Sequence, residues 1–202
     1  MIKAKTKKYP RIRQGDIYKN VEMIEYIEEK KGDLRISKIQ FPYIMVLTQD
    51  CDLERDYFNR RESSEKPDEN QDKFLFSALV APLFNAEHFK NGEHFTDLDI
   101  TMRRINWDRT EGQKIRNNEI PRYHYLEFPD DIPIVNSVID FKHFFSINIG
   151  TLNKIKTKNF VCSISELFRE DISHRFAFYL SRIGLPFINM KSQSSSKKEQ
   201  KS

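Results

Sequence analysis

The stretch from Phe41 to Leu53, FPYIMVLTQDCDL, runs an apolar segment straight into Thr48, Gln49, Asp50, Cys51 and Asp52. A hydroxyl, an amide, two carboxylates and a thiol so close together suit three chemistries. Cys51 could attack an electrophile with His88 or His94 as base, although two flanking carboxylates oppose a negative sulfur. Cys51, Asp52, His88 and His94 are all competent ligands for one divalent ion, zinc foremost. Asp50 and Asp52, a DxD pair after a strand, could hold magnesium for phosphodiester chemistry, with Asp56 as a further acid. The plain structural alternative is a turn in which an aspartate caps a backbone amide and Cys51 tucks under a sheet.

Composition narrows the field. With 202 residues the chain fits one domain and needs no metal or disulfide to fold. Charged residues make up 32%, but 16 Phe and 8 Tyr supply a core and argue against wholesale disorder. The net charge of +4 is mild, and much of it sits in Lys3, Lys5, Lys7, Lys8, Arg11 and Arg13 at the front and in Lys191, Lys197, Lys198 and Lys201 at the back. Solvated tails account for that excess at least as well as a binding face. No apolar run suits a signal peptide or a membrane span, so the expectation is a cytoplasmic protein with reduced thiols and no membrane partner. Cys162, within NFVCSI, reads as a small buried residue.

The elements that must position these groups follow from pattern. Residues 1–13 form a basic lead-in, and Gln14, Gly15 and Asp16 turn into the strand IYKNVEMIEYI. KKGD is a turn with Gly32 free to take positive φ, followed by strands LRISKIQ and FPYIMV. Residues 54–73 are so polar that they read as a mobile loop. FLFSALVAPLF, closed by Pro82, is expected beside the 43–47 strand in the middle of a sheet. Residues 85–120 suggest one or two surface helices, RYHYLEF a strand, and VNSVIDFKHFFSINI another strand.

The last element has the most complete pattern. Ser163 and Glu166 have capping-box spacing, and Leu167, Phe168, Ile172, Phe176, Tyr179, Leu180 and Ile183 make an apolar stripe up to Gly184 and Pro186. A helix packed on the sheet is expected there, with a disordered tail from 191 to 202.

QGDIY at residues 14–18, followed by FPYIMVLTQD, resembles the opening of the PemK/MazF toxin fold. That resemblance implies a small SH3-like barrel that cleaves RNA with an arginine just before the proline and a Ser or Thr at the strand end. Thr48 stands at the hydroxyl position. Phe41 occupies the arginine position, so Arg35 on the neighbouring segment becomes the candidate cation for stabilising charge on phosphorus. The QxCDL pattern at Gln49–Leu53, with DFKHFFSI and HRFAFYLSRIGLP, also resembles a group of uncharacterised prokaryotic proteins.

The expected fold is therefore α+β: a mostly antiparallel SH3-like β-barrel or curled sheet, residues 14–190 as a single domain, with inserted surface helices and the C-terminal helix packed on it. Two functional classes stay open. One is a PemK/MazF-like protein acting on RNA or DNA, an endoribonuclease toxin or defence-linked nuclease using Thr48, Asp50, Asp52 and Arg35, with no cofactor or one divalent metal ion. The other is a non-catalytic interaction module of a phage, prophage or defence locus that binds a protein partner.

Overall fold

The computed structural model describes residues 1–62 and 71–182. Among these, eight strands form one antiparallel sheet: β1 (Ala4–Lys5), β2 (Asp16–Lys30), β3 (Asp33–Val46), β4 (Ser77–Asn85), β5 (Tyr123–Leu126), β6 (Ser137–Asp140), β7 (Phe145–Asn148) and β8 (Phe160–Ile164). The order is β1-β8-β2-β3-β4-β6-β5, with β7 also on β4, and the sheet curls into a half-barrel. Five α-helices accompany it: α1 (Asp50–Glu62), α2 (Ala86–Asn91), α3 (Thr110–Arg116), α4 (Ile149–Ile155) and α5 (Glu166–Leu180). The α+β expectation with a curled sheet and a C-terminal helix holds.

Local chemistry explains the main elements. Lys31 and Gly32 both take positive φ, 55° and 85°, the two-residue turn whose twist matches a hairpin. Asp33 to Val46 form one strand, so the two segments expected either side of Gln40 are continuous. Pro42 fits because it falls between Phe41 and Tyr43 in the register with β2, and β4 joins only at Ile44. β4 lies beside β3 as expected, although Pro82 pairs with Ile44 inside the strand instead of closing it.

The strand expected over residues 135–149 is broken. Asp140 accepts the Lys142 amide at 3.0 Å and turns the chain through a helical turn, Phe141–His143, between β6 and β7. The expected capping box is also corrected. Ser163 pairs with Asp16 within the sheet, and Ser165 takes the cap position of α5.

Three apolar clusters stabilise the layers. The first joins the sheet to α5 through Phe168, Ile172, Phe176 and Tyr179. Leu167 and Leu180 of the expected stripe remain exposed. The second lies under α1 and α4, around Tyr18, Phe41, Ile44, Leu53, Ile149 and Leu152. The third gathers Phe84, Phe89, Phe95, Trp107 and Ile115 beneath α2 and α3. Each large side chain withdrawn from water contributes about 2 kcal/mol, so these clusters fix the element positions. Cys162 is wholly buried, as expected, and burial pushes its thiol up to about 12.

The polar stretch 54–73 is not a loop throughout. Residues 54–62 belong to α1, and Gln71–Lys73 form a single helical turn. The helix has acids in its first turn and Arg60 and Arg61 in its last, which suits the helix dipole. Leu53 anchors it, while buried Asp56 accepts the Leu75 amide at 2.7 Å and Arg60 Nε at 2.8 Å. Residues 63–70, and the expected stop at Gly184, Pro186 and tail 191–202, lie outside the described residues.

The basic lead-in is part of the domain. Ile2 and Ile12 are buried, β1 pairs with β8 near the far end of the chain, and the Met1 ammonium meets Glu127 at 3.0 Å.

Candidate functional site

The strand end builds a charge cluster at the start of α1. Thr48, half-buried, accepts the Leu79 amide on Oγ1 at 2.6 Å and returns its own amide to the Leu79 carbonyl at 3.3 Å. Its hydroxyl oxygen therefore prolongs the β3–β4 pairing. Asp50 accepts two guanidinium bonds from Arg11, both at 2.9 Å, and the Gln14 amide at 3.1 Å. Arg169, from the inward side of α5, approaches the same carboxylate at 3.3 Å. Burial opposes ionisation of Asp50, but Arg11, Arg169 and the Gln14 amide outweigh it and leave its pKa below the ordinary value.

These groups floor a shallow cleft of about 370 Å3 between α1 and α5, lined also by Gln49, Cys51 and His174. Cys51 is exposed, and its sulfur lies 3.6 Å from Gln49 Oε1 and 3.8 Å from Asp52 Oδ1. Cys51 is thus not tucked under the sheet.

Beside the cluster lies Asp16 of the QGDIY segment, 2% exposed. Its Oδ2 accepts the Arg13 amide at 2.8 Å and the Tyr18 hydroxyl at 3.1 Å. Burial pushes its carboxyl up to about 6, against the opposing pull of Ser163, the Arg13 amide and Tyr18. Gly15 takes φ of 79°, and its backbone passes so close to α5 that an added Cβ would meet the Arg169 Cβ at 3.2 Å.

The structure does not bring the remaining candidates to this place. Arg35 stands opposite Glu28 near the hairpin tip, thirteen residues from Thr48 along the strand, or about 40 Å of extended chain. Phe41, at the position where the resemblance wanted arginine, is buried and stacked on Phe145 with ring centres 5.0 Å apart. His88 is exposed on α2. His94 packs on Phe84, Phe89 and Phe95 in the third cluster, where burial pushes it down to about 4. Cys51 and Asp52 belong to the first turn of α1 instead, so the expected ligand set is not assembled. Among the described residues, no three His, Cys, Asp or Glu side chains are grouped to hold a metal ion.

A second surface emerges from the lead-in. Lys8 Nζ donates to the Thr157 carbonyl at 2.7 Å, and Lys156 Nζ donates to the Pro10 carbonyl at 2.6 Å, strapping the front of the chain across the α4–β8 turn. Asn159 in the same turn donates to the Lys19 carbonyl at 2.8 Å. Lys7, Lys8, Lys19, Lys154, Lys156 and Lys158 thereby gather from three separate segments, and none has an ion-pair partner among the described residues. Aromatic rings punctuate them. Arg13 lies 4.3 Å from the Tyr9 ring centre, and Lys156 and Arg61 stand 5.9 Å and 5.6 Å from that of Tyr57.

Arg11, Gln14, Asp16 and Arg169 were not singled out as site residues by the sequence pattern. One signal was available for Arg169: it shares the i, i+3, i+7 spacing of Ile172 and Phe176, an arginine on a buried stripe. A scan of protein-family models gives no match to this chain, and neither the curated proteins nor the solved structures contain a match.

Proposed function

We propose that this protein binds nucleic acid through the surface formed by the lead-in, the α4–β8 turn and α1, mainly by contacts to phosphates. The observation that carries the reading is the convergence of Lys7, Lys8, Lys19, Lys154, Lys156 and Lys158 from distant parts of the sequence, none with an acidic ion-pair partner among the described residues, although Lys8 and Lys156 also donate to backbone carbonyls. Clustered lysines without acid partners release counterions when they meet a phosphate backbone, which yields salt-dependent affinity with little sequence preference. Tyr9 and Tyr57 add flat groups beside the cations.

The strand-end cluster lends less support to catalysis. Asp50 is held between two arginines, Thr48 Oγ1 accepts a strand amide, and Arg35 is remote. Binding without strand cleavage is the reading that these contacts favour.

The test is fluorescence anisotropy with a labelled 20-nucleotide RNA and the matching DNA duplex over a series of salt concentrations. The exposed triple variant Lys7→Glu, Lys154→Glu, Lys158→Glu is expected to lose at least tenfold in affinity and to flatten the salt slope by about one per lysine. Absence of salt-dependent binding by the wild type would refute the reading.

A further inference from the structure

Beyond the half-barrel, β2 and β3 continue as a ribbon of two strands alone. β8 accompanies β2 only from Asp16 to Tyr18, and β4 accompanies β3 only from Ile44 to Val46. From Val21 to Lys30 and from Asp33 to Phe41, both outer edges therefore lack a neighbouring strand among the described residues. Unpaired edges of this length invite another strand unless something guards them.

The two edges differ. β2 is guarded by a bulge, because the register shifts between Ile24 and Tyr26 and leaves Glu25 unmatched, and by Glu22, Glu25, Glu28 and Glu29. β3 is regular over the same length, and its cations are Arg35, opposite Glu28, and Lys38, paired with Glu22 at 2.8 Å. The bulge also determines the face. It puts Ile27, opposite Ile36, on the same side as Ile24, opposite Lys38. Ile24, Ile27, Leu34 and Ile36 then form one apolar row, each between 48% and 65% exposed. Such a row on an otherwise charged arm is the mark of a contact surface.

We propose that the free edge of β3 pairs with the β3 edge of a second copy, antiparallel, about a two-fold axis at Ile36. This register sets Ile36 against Ile36 of the second copy, Leu34 against Lys38 and Arg35 against Ser37, so no cation directly faces a cation. It also joins the two apolar rows into one patch on a four-stranded arm. In this register the pairing spans Asp33 to Ile39 on each strand and ends where the chain turns at Lys31 and Gly32. A β2-to-β2 pairing would have to accommodate the Glu25 bulge and four glutamates on each strand. The proposal concerns only the ribbon and is independent of the basic surface.

The experiment is site-directed cross-linking of the full chain in a Cys51→Ser background, since Cys162 is buried. Residues on the axis of an antiparallel pair have Cα atoms about 5 Å apart, within disulfide reach. Ile36→Cys is therefore expected to give a covalent dimer under mild oxidation. Leu34→Cys, separated from its copy by about 13 Å, should not cross-link to itself. Light scattering from 1 to 100 µM gives the second readout. The wild type is expected to shift from 24.2 kDa toward twice that mass. Ile36→Lys, with circular dichroism to show that the exposed site tolerates it, should weaken dimerisation at least tenfold. A monomer throughout the range, equal cross-linking at 34 and 36, or a dimer unaffected by Ile36→Lys each overturns the proposal.

Discussion

Arg11 and Asp50 meet in a two-pronged ion pair, Nη1 to Oδ1 and Nη2 to Oδ2 both at 2.9 Å, that fastens the lead-in to the first turn of α1. Their side chains are 14% and 20% exposed, so solvent screens this pair far less than a surface bridge. Asp50→Ala removes the anion between Arg11 and Arg169 and leaves two cations facing each other. Its expected cost is about 2 kcal/mol, read as a lower urea midpoint at unchanged slope. Arg11→Ala with Asp50→Ala should cost less than the sum of the single changes.

Thr48 offers a test of structural against catalytic use. Thr48→Val deletes the acceptor for the Leu79 amide and is expected to destabilise by about 1 kcal/mol, whereas Thr48→Ser restores it. Incubated with RNA or DNA, with and without Mg2+ or Zn2+, wild type, Thr48→Ala and Asp52→Ala should all leave the strands intact. Cleavage by the wild type that Thr48→Ala abolishes would return the hydroxyl to a catalytic role.

At Gly15 the backbone conformation and the neighbour act together. Gly15→Ala places a side chain at φ of 79° and pushes on Arg169 at 3.2 Å, which moves the guanidinium away from Asp50. A loss of about 2 kcal/mol is expected, well above the change for an alanine at an ordinary turn glycine. Thermal melts of Gly15→Ala and of Gly32→Ala, where an added Cβ meets nothing within 4 Å, separate the backbone strain common to both from the crowding at Gly15.

The pH dependence of stability should show opposed contributions. Asp16 has its carboxyl raised from 3.8 to about 6, so its stabilising protonation is complete below pH 4 and is lost as the pH rises through 6. His94 and His124 are lowered from 6.5 to about 4 and about 3 by burial, with Arg175 adding to the effect at His124. Their contribution is complete above pH 6.5 and is lost as the pH falls toward 4. Asp16→Asn should remove the first effect alone. Urea titrations at pH 4 and pH 7 are expected to show the variant gaining about 2 kcal/mol on the wild type between the two.

Much of the sheet was legible because strand patterns announce themselves. The KKGD turn, the β3–β4 neighbours and the helix carrying Ile172 and Phe176 all follow from spacing and turn chemistry. α1 was not legible, since its buried face consists of Leu53, Asp56 and Asn59 and has no apolar stripe to count. VNSVIDFKHFF reads as one strand until Asp140 accepts the Lys142 amide, a side-chain bond that competes with the ladder. At the candidate site, Thr48 follows the end of a central strand, whereas Asp50, Cys51 and Asp52 form the first turn of α1, a helix that the sequence pattern did not announce. The partners of Asp50, namely Arg11 and Arg169, come from 39 residues before and 119 after it, beyond the range of any local pattern. Arg35 failed as a substitute because a continuous strand carries it away from the site.

The pairing of β1 with β8 also constrains the order of events during synthesis. Residues 4 and 5 leave the ribosome well before their partners, Ser163 and Ile164, which follow about 160 residues later. At 5–20 residues per second, the front of the chain waits on the order of ten seconds or more without its strand partner. Throughout that interval its lysines are carried on an undocked segment, so cellular anions can meet them before the Lys8–Thr157 and Lys156–Pro10 straps exist.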